Sequence, residues 1–368
     1  MARPDGAASN RTRTVRIGLW AALAALGLLL WLRCAGVGSS ARPAQALLVN
    51  YLYFVPLAAG LCAWSACLTL SKATWAGRLE TLLLKGPGFA LPSIIALGGL
   101  LVLNRRIGFG AAALPGGIWL APVFLLERDA VALILFWIIA VVFSRQRLSG
   151  RGGRTAGVLS VLYVTVFSLV GIDGAMSLTA PWKSTVYGLY FAITGLYGAI
   201  AAWTLLCACS PQATKKQLHD LGKILVGMSL LSAYLMASQI LTIWYVNLPA
   251  ETGFLIDRIR TMPWRAVTVI LVASVYLGPF VVLLPAPYKR NRWLLGTVAA
   301  LVLCGLWLER FWLVAPARCA VPVIGLPEIA MTGAFLGALG IAFELTTPKV
   351  TDFPESAGNL NPPEGSGL

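Results

Sequence analysis

LGKILVGMSLLSAYLMASQILTIWYVNLPAETGFLIDRIR (residues 221–260) decides the class of this protein. From Leu221 to Tyr245 the run is apolar apart from Lys223 and a few hydroxyls and amides, and it is long enough to cross a bilayer core as a helix. It then empties into a polar exit carrying Asn247, Pro249, Glu251, Arg258 and Arg260. Ser238, Gln239 and Thr242 already lie inside the membrane-length run. Polar groups at that depth are costly unless they face protein or water, so the segment predicts a buried polar site close by.

Outward from this stretch the same pattern recurs. The chain has 368 residues, 58% of them hydrophobic and only 12% charged, about half the charge of an ordinary soluble protein. This predicts an all-α polytopic membrane protein with about ten transmembrane helices, at 17–33, 46–70, 88–104, 126–144, 157–179, 186–208, 221–245, 264–285, 293–315 and 327–346. Two four-helix bundles with two peripheral helices suit that order. The net charge of +15 invites a nucleic-acid reading, but the basic residues are dispersed among inter-helix loops. Topology accounts for them: with both termini in the cytoplasm, roughly 18 Lys and Arg fall inside and roughly 11 outside. A cleaved signal peptide is the competing reading of the N-terminus, where three arginines precede an apolar stretch and GVGSSARPAQA. A retained helix is preferred, since ten spans leave both ends on the basic side.

Residues 1–16 are expected to form a cytoplasmic tail, 17–346 the transmembrane domain, and 347–368 a disordered cytoplasmic tail rich in Pro, Gly and Ser. The longest outer connection, 105–128, contains LPGGIWLAP and suits an interfacial or half-inserted segment. The seven cysteines show no metal spacing and read as small hydrophobes. With His219 the only histidine, a bis-histidine haem within this chain is excluded, and no cofactor is expected on it.

Several residues carry candidate chemistry. Asp173 is an acid inside the fifth span with Ser177 one turn on, so it reads as a proton relay, as a hydrogen-bond partner for a quinone, or as an acid at the outer mouth that is solvated or caps the break at Gly174. Tyr187, Tyr190, Thr194 and Tyr197 share one helix face, which suits a cavity wall or helix packing. His219 and Asp220 open the seventh span, as a titratable pair or as first-turn residues favoured by the helix dipole. Tyr234, Ser238 and Thr242, spaced by four with Gln239 beside them, give that span a polar stripe. It suits a proton route or simple back-bonding to the helix carbonyls. Glu251, Arg258, Arg260 and Arg265 are expected to form ion pairs that hold the outer loop, with docking of a partner on the outer face as the alternative, and Glu309 and Arg310 to form a structural pair. Trp182, Trp244 and Trp264 fall near helix ends, where aromatic belts lie.

Three blocks resemble the NrfD/PsrC-like superfamily of quinone-interacting membrane subunits, and within it the ActF-type subunit of alternative complex III, the bacterial quinol:cytochrome c oxidoreductase. They are IDGAMSLTAPWKSTVYGLYF (172–191), HDLGKILVGMSLLSAYLMASQILTIWYVNLPAETGFLIDRIRTMPW (219–264), and PF…LLPAPYKRN (279–291) followed by LERFWLVAP (308–316). The resemblance marks Trp182, Trp244, Tyr245, Asn247, Glu251, Arg258, Trp264, Lys289, Arg290 and Glu309 as family-motif positions. Where the family carries Asp and His in the first block this chain has Thr179 and Pro181, and Gly174 stands for a Trp. Losing those titratable groups places the quinol site, in family terms, on the paired ActC-type subunit.

The resemblance implies an integral subunit of a respiratory electron-transport complex in a bacterial inner membrane. Its partners would be a second NrfD-like subunit and subunits carrying iron–sulfur clusters and haem c, with lipid around it and no nucleic acid. Quinol would be a ligand of the complex, and Asp173, Ser177, His219, Asp220, Tyr234, Ser238, Gln239 and Thr242 would supply a proton pathway. A quinone-binding anchor of a polysulfide- or nitrite-reductase-type complex is the alternative within the superfamily. A secondary transporter built around the polar seventh span is the alternative outside it.

Overall fold

A computed structural model describes residues 5–36, 41–108, 121–179, 182–317, 319 and 321–346. The tail 347–368 and residues 109–120 of the 105–128 connection therefore lie outside the described residues. All regular structure among the described residues is helical. In chain order the main helices are α1 (Asp5–Gly36), α2 (Arg42–Leu70), α3 (Ala90–Val102), α4 (Pro122–Leu148), α5 (Gly153–Gly174), α6 (Tyr187–Cys209), α7 (Lys215–Val246), the short α8 (Pro249–Ile259), α9 (Trp264–Leu283), α10 (Arg292–Val314) and α11 (Leu326–Leu345). Nine helical segments among the described residues are long and apolar enough to cross a membrane. The 27-residue α4, which carries Glu127, Arg128 and Asp129 near its start, occupies the remaining expected span. The chain is an all-α polytopic membrane protein.

Helices α2, α3, α4 and α5 close one ring, and α6, α7, α9 and α10 close a second. The rings share a seam in which α2 and α5 pack on α6, and α2 on α10. Outside them α1 pairs with α11, which leans on α2. The seam is bound by side chains that reach main-chain oxygens of another helix. Tyr163 donates to the Pro56 carbonyl at 3.1 Å, Trp64 to Leu196 at 2.8 Å and Trp203 to Leu79 at 3.0 Å. Asn50 of α2 accepts from Trp307 (3.1 Å) and Thr332 (2.9 Å), so one amide ties three helices together. Such bonds matter in a bilayer, where association has no water-driven term and relies on packing and hydrogen bonds.

Two interruptions differ from plain helices. The third crossing begins as a 3₁₀ segment, Gly77–Phe89, before α3. Within α9, residues Val272–Leu277 wind as a π-helix ahead of Gly278 and Pro279. Pro279 has no N–H to offer the Val275 carbonyl four residues back. The Tyr197 hydroxyl takes that acceptor instead, at 2.8 Å. A helix break in lipid survives only where neighbours re-satisfy the freed group, and α6 supplies that here.

The α1–α11 pair rests on small residues. A side chain at Gly337 would meet the Ala24 nitrogen at 2.6 Å, and one at Gly27 the Ala330 oxygen at 2.5 Å. Backbones that close cannot admit a Cβ without parting. Gly337→Leu is expected to push α1 off α11 and cost about 1–3 kcal/mol, read as a lowered unfolding midpoint in mild detergent. An unchanged midpoint would contradict this contact.

The structure alters one boundary. Residues 5–16, expected as a tail, continue α1 as helix. Arg13 donates to the Glu344 carbonyl at 2.6 and 3.2 Å, and Arg16 pairs with the Glu344 carboxylate at 3.1 Å. Anchoring to the end of α11 lets the helix run back beyond the apolar span.

Candidate functional site

Asp173 ends α5 on the inner side of the first ring and is 1% exposed. Its carboxylate is paired with the Arg128 guanidinium from the first turns of α4. Asp129, 3% exposed, turns inward beside Arg128 and interacts with both Asp173 and Arg128. Tyr51 of α2 completes the cluster, buried and within electrostatic reach of Asp129. One carboxylate oxygen each of Asp129 and Asp173, and the Tyr51 hydroxyl, are buried without a hydrogen-bond partner. Two buried carboxyls thus face one guanidinium. Acids buried inside a membrane protein in this way mark a candidate site for proton or ion movement. Ser177, expected to share chemistry with Asp173, donates instead to the Asp173 main-chain oxygen at 2.5 Å and closes the end of α5.

The second ring has its own polar centre. Glu309 and Arg310 of α10 are both buried. Tyr276, in the π-helical turn of α9, donates to Glu309 at 3.1 Å, and the Tyr190 and Tyr276 hydroxyls are bonded at 2.9 Å. Arg310 donates to Thr194 at 2.6 Å, lies 3.5 Å from the Glu309 carboxylate, and sits 4.1 Å over the Phe191 ring. The tyrosine stripe of α6 therefore faces inward: Tyr187, Tyr190, Thr194 and Tyr197 are all buried. Trp182, Tyr187, Tyr190 and Gln239 line a cavity of about 10 Å³, the room that one water takes.

The polar stripe of α7 is not part of either centre. Tyr234 is 68% exposed and Tyr245 83%, with Trp244 turned outward beside them. Ser238 donates to the Tyr234 carbonyl at 2.8 Å and Thr242 to Ser238 at 2.9 Å, so each hydroxyl is spent on its own helix. The buried face of α7 runs instead through Leu225, Ser232, Leu235, Gln239 and Ile243. Of the stripe and its neighbours, only Gln239 looks inward. The route from Asp173 through the stripe to His219 and Asp220 is therefore not brought together within this chain. His219 is half-buried near the opposite end of α7, among Lys223, Lys289 and Arg290. Asp220 is paired with Lys223 at 3.0 Å. A capping box of Thr214 and Gln217 fixes that helix start.

Arg258, Trp182 and Trp264 hold the connection between α7 and α9. Arg258 is buried, donates to the Trp312 and Leu313 carbonyls at 3.1 Å each, and stacks 3.9 Å over Phe254. Burial pushes its guanidinium down to about 10. The loop is thus held by main-chain acceptors and ring faces, where the sequence suggested ion pairs. Trp182 stacks on Phe254 with centroids 3.9 Å apart, and Trp264 is buried against Phe311. Glu251 lies in the first turn of α8, where its charge suits the helix dipole. Lys289 donates to the Leu284 carbonyl at 2.9 Å, closing the end of α9, and Arg290 is exposed. Asn247 terminates α7 with φ of 49°. Asn tolerates this left-handed backbone and a β-branched residue does not. Asn247→Val is expected to cost about 1–3 kcal/mol and Asn247→Gly close to nothing, by unfolding midpoint.

Arg128, Asp129, Tyr51 and Tyr276 were not anticipated as site residues. The ERD triplet 127–129 follows a Gly/Pro-rich connection and reads as the solvated start of a span. A signal was present: two acids within one turn of an apolar helix place at least one of them inward. A scan of protein-family models and a search of curated proteins return no match to this chain.

Proposed function

We propose that this chain is an integral membrane subunit of a quinol-oxidising electron-transfer complex of the alternative complex III kind. It would lie in a bacterial inner membrane with both termini cytoplasmic. In this reading haem c and iron–sulfur clusters on partner subunits carry the electrons, quinol binds in the complex, and this chain supports the membrane core. The observation that carries a role beyond scaffolding is the buried cluster of Arg128, Asp129 and Asp173. Intramembrane acids of this kind are retained where protons or ions move. The three sequence blocks supply the rest of the argument. The outward face of α7, with Tyr234, Trp244 and Tyr245, then suits a contact with the second NrfD-like subunit.

Two experiments test this reading. The tagged chain, purified in mild detergent, is expected to bring down haem c, an iron–sulfur protein and a second polytopic subunit, identified by visible spectrum and mass spectrometry. A colourless lone protein, under conditions that keep other respiratory complexes intact, would overturn the subunit assignment. Asp173→Asn leaves Arg128 with Asp129 as its counter-charge, so folding is expected to survive. Proton translocation per electron should fall in an assembled, electron-transferring complex. An unchanged ratio would remove the proton role while leaving the subunit assignment intact.

A further inference from the structure

A cavity of about 370 Å³ opens between α1, α2, α6, α10, α11 and the 3₁₀ segment, apart from both polar centres. Its walls are hydrocarbon, including Leu57, Leu206, Leu303, Leu339 and Phe343. At its deep end Tyr53 commits its hydroxyl hydrogen to the Leu303 carbonyl at 3.0 Å. A ring carbonyl entering there would find that donor already engaged, whereas an alkyl chain needs none.

The mouth is different. Lys85 and Glu344 line it, and Lys85 is within electrostatic reach of Arg13 and Arg16 as well as Glu344. The Lys85 ammonium lies 5.8 Å over the Phe343 ring at the rim. Arg16 is paired with the Glu344 carboxylate, while Arg13 binds the Glu344 main-chain oxygen, a neutral acceptor. Among the described residues, three cations against one carboxylate leave two positive charges over the opening of an apolar slot. Basic clusters between transmembrane helices at a membrane surface are where anionic head groups bind.

We propose that this cavity holds one acyl chain of an anionic phospholipid, with its phosphate against Arg13, Arg16 and Lys85. The charge selects the head group and the slot holds the tail. The site thereby cements α1 and α11 to the rings, and it stands independently of any proton role.

The test uses the full chain, stripped of lipid in detergent. Binding is followed by native mass spectrometry and by the unfolding midpoint on adding phosphatidylglycerol or phosphatidylcholine of the same chains. Phosphatidylglycerol is expected to be retained and to raise the midpoint, with inorganic phosphate giving no shift. Arg16→Gln and Lys85→Gln should each weaken phosphatidylglycerol about fivefold and leave phosphatidylcholine unchanged. Ala202→Phe, which fills the slot, should abolish retention of both. Equal retention of the two lipids, a shift produced by phosphate alone, or retention unaffected by both Gln variants would overturn the proposal. So would an isoprenoid quinone held in place of phospholipid. The Gln variants alter only rim side chains, so they report on the head group even where the Phe variant fails to fold.

Discussion

Arg128→Gln is expected to destabilise the protein by about 3–5 kcal/mol, more than any change on its lipid-facing surface. The reason is the company that Arg128 keeps. Asp173 and Asp129 are nearly inaccessible, and the one guanidinium that interacts with both comes from α4. Glutamine can hydrogen-bond a single carboxylate but cannot offset two buried charges. Removing an acid should therefore repair the loss of the cation: Arg128→Gln with Asp173→Asn is expected to recover a large part of the deficit. Asp173→Asn alone should be mild, because Arg128 then faces one carboxyl. The four chains form a cycle whose coupling energy isolates the interaction from general damage to α4. Midpoints in mild detergent measure it. A single Arg128→Gln change within about 1 kcal/mol of the parent would mean that the pair is solvated.

How much of this was legible depends on whether a feature is local. The spans were, because a bilayer demands a fixed apolar length and the chain supplies it repeatedly. Asp173 and Glu309 were as well, each being an acid inside an apolar run. Their partners were not. Arg128 and Asp129 come from a different helix, and nothing in the 43 residues between Asp129 and Asp173 marks the pairing. The α7 stripe shows a complementary failure. Spacing by four places Tyr234, Ser238 and Thr242 on one face, but it does not say which face turns inward. Here the apolar side with Leu225, Leu235 and Ile243 is buried, and the hydroxyls satisfy themselves on their own carbonyls. The tyrosine stripe of α6 has the same periodicity and the opposite outcome, because α9 and α10 bring Tyr276 and Arg310 to meet it. The π-helical turn that delivers Tyr276 had only a local hint, the Gly278–Pro279 pair.

Arg310 is the second residue whose removal should be severe, at about 3–5 kcal/mol for Arg310→Met. It reaches across the second ring and engages Thr194, Phe191 and Glu309 at once. Methionine fills much of the volume but leaves Glu309 fully buried with only the Tyr276 hydroxyl. Arg310→Lys is expected to rescue little. An ammonium lacks the planar fork that lets one side chain donate to Thr194, face Glu309 and lie over an aromatic ring. Glu309→Gln should cost far less, since Gln still accepts from Tyr276, and adding it to Arg310→Met should restore stability. That pattern separates the two polar centres by role. At Glu309 neutralisation is expected to leave both folding and proton translocation intact, because its partner lies beside it on the same helix and the pair holds α10 to α6. At Asp173 the same neutralisation is expected to spare folding and lower proton translocation. A loss of proton translocation on Glu309→Gln, in a complex that still transfers electrons, would move the second centre from packing into the proposed proton route and make the tyrosine stripe its continuation.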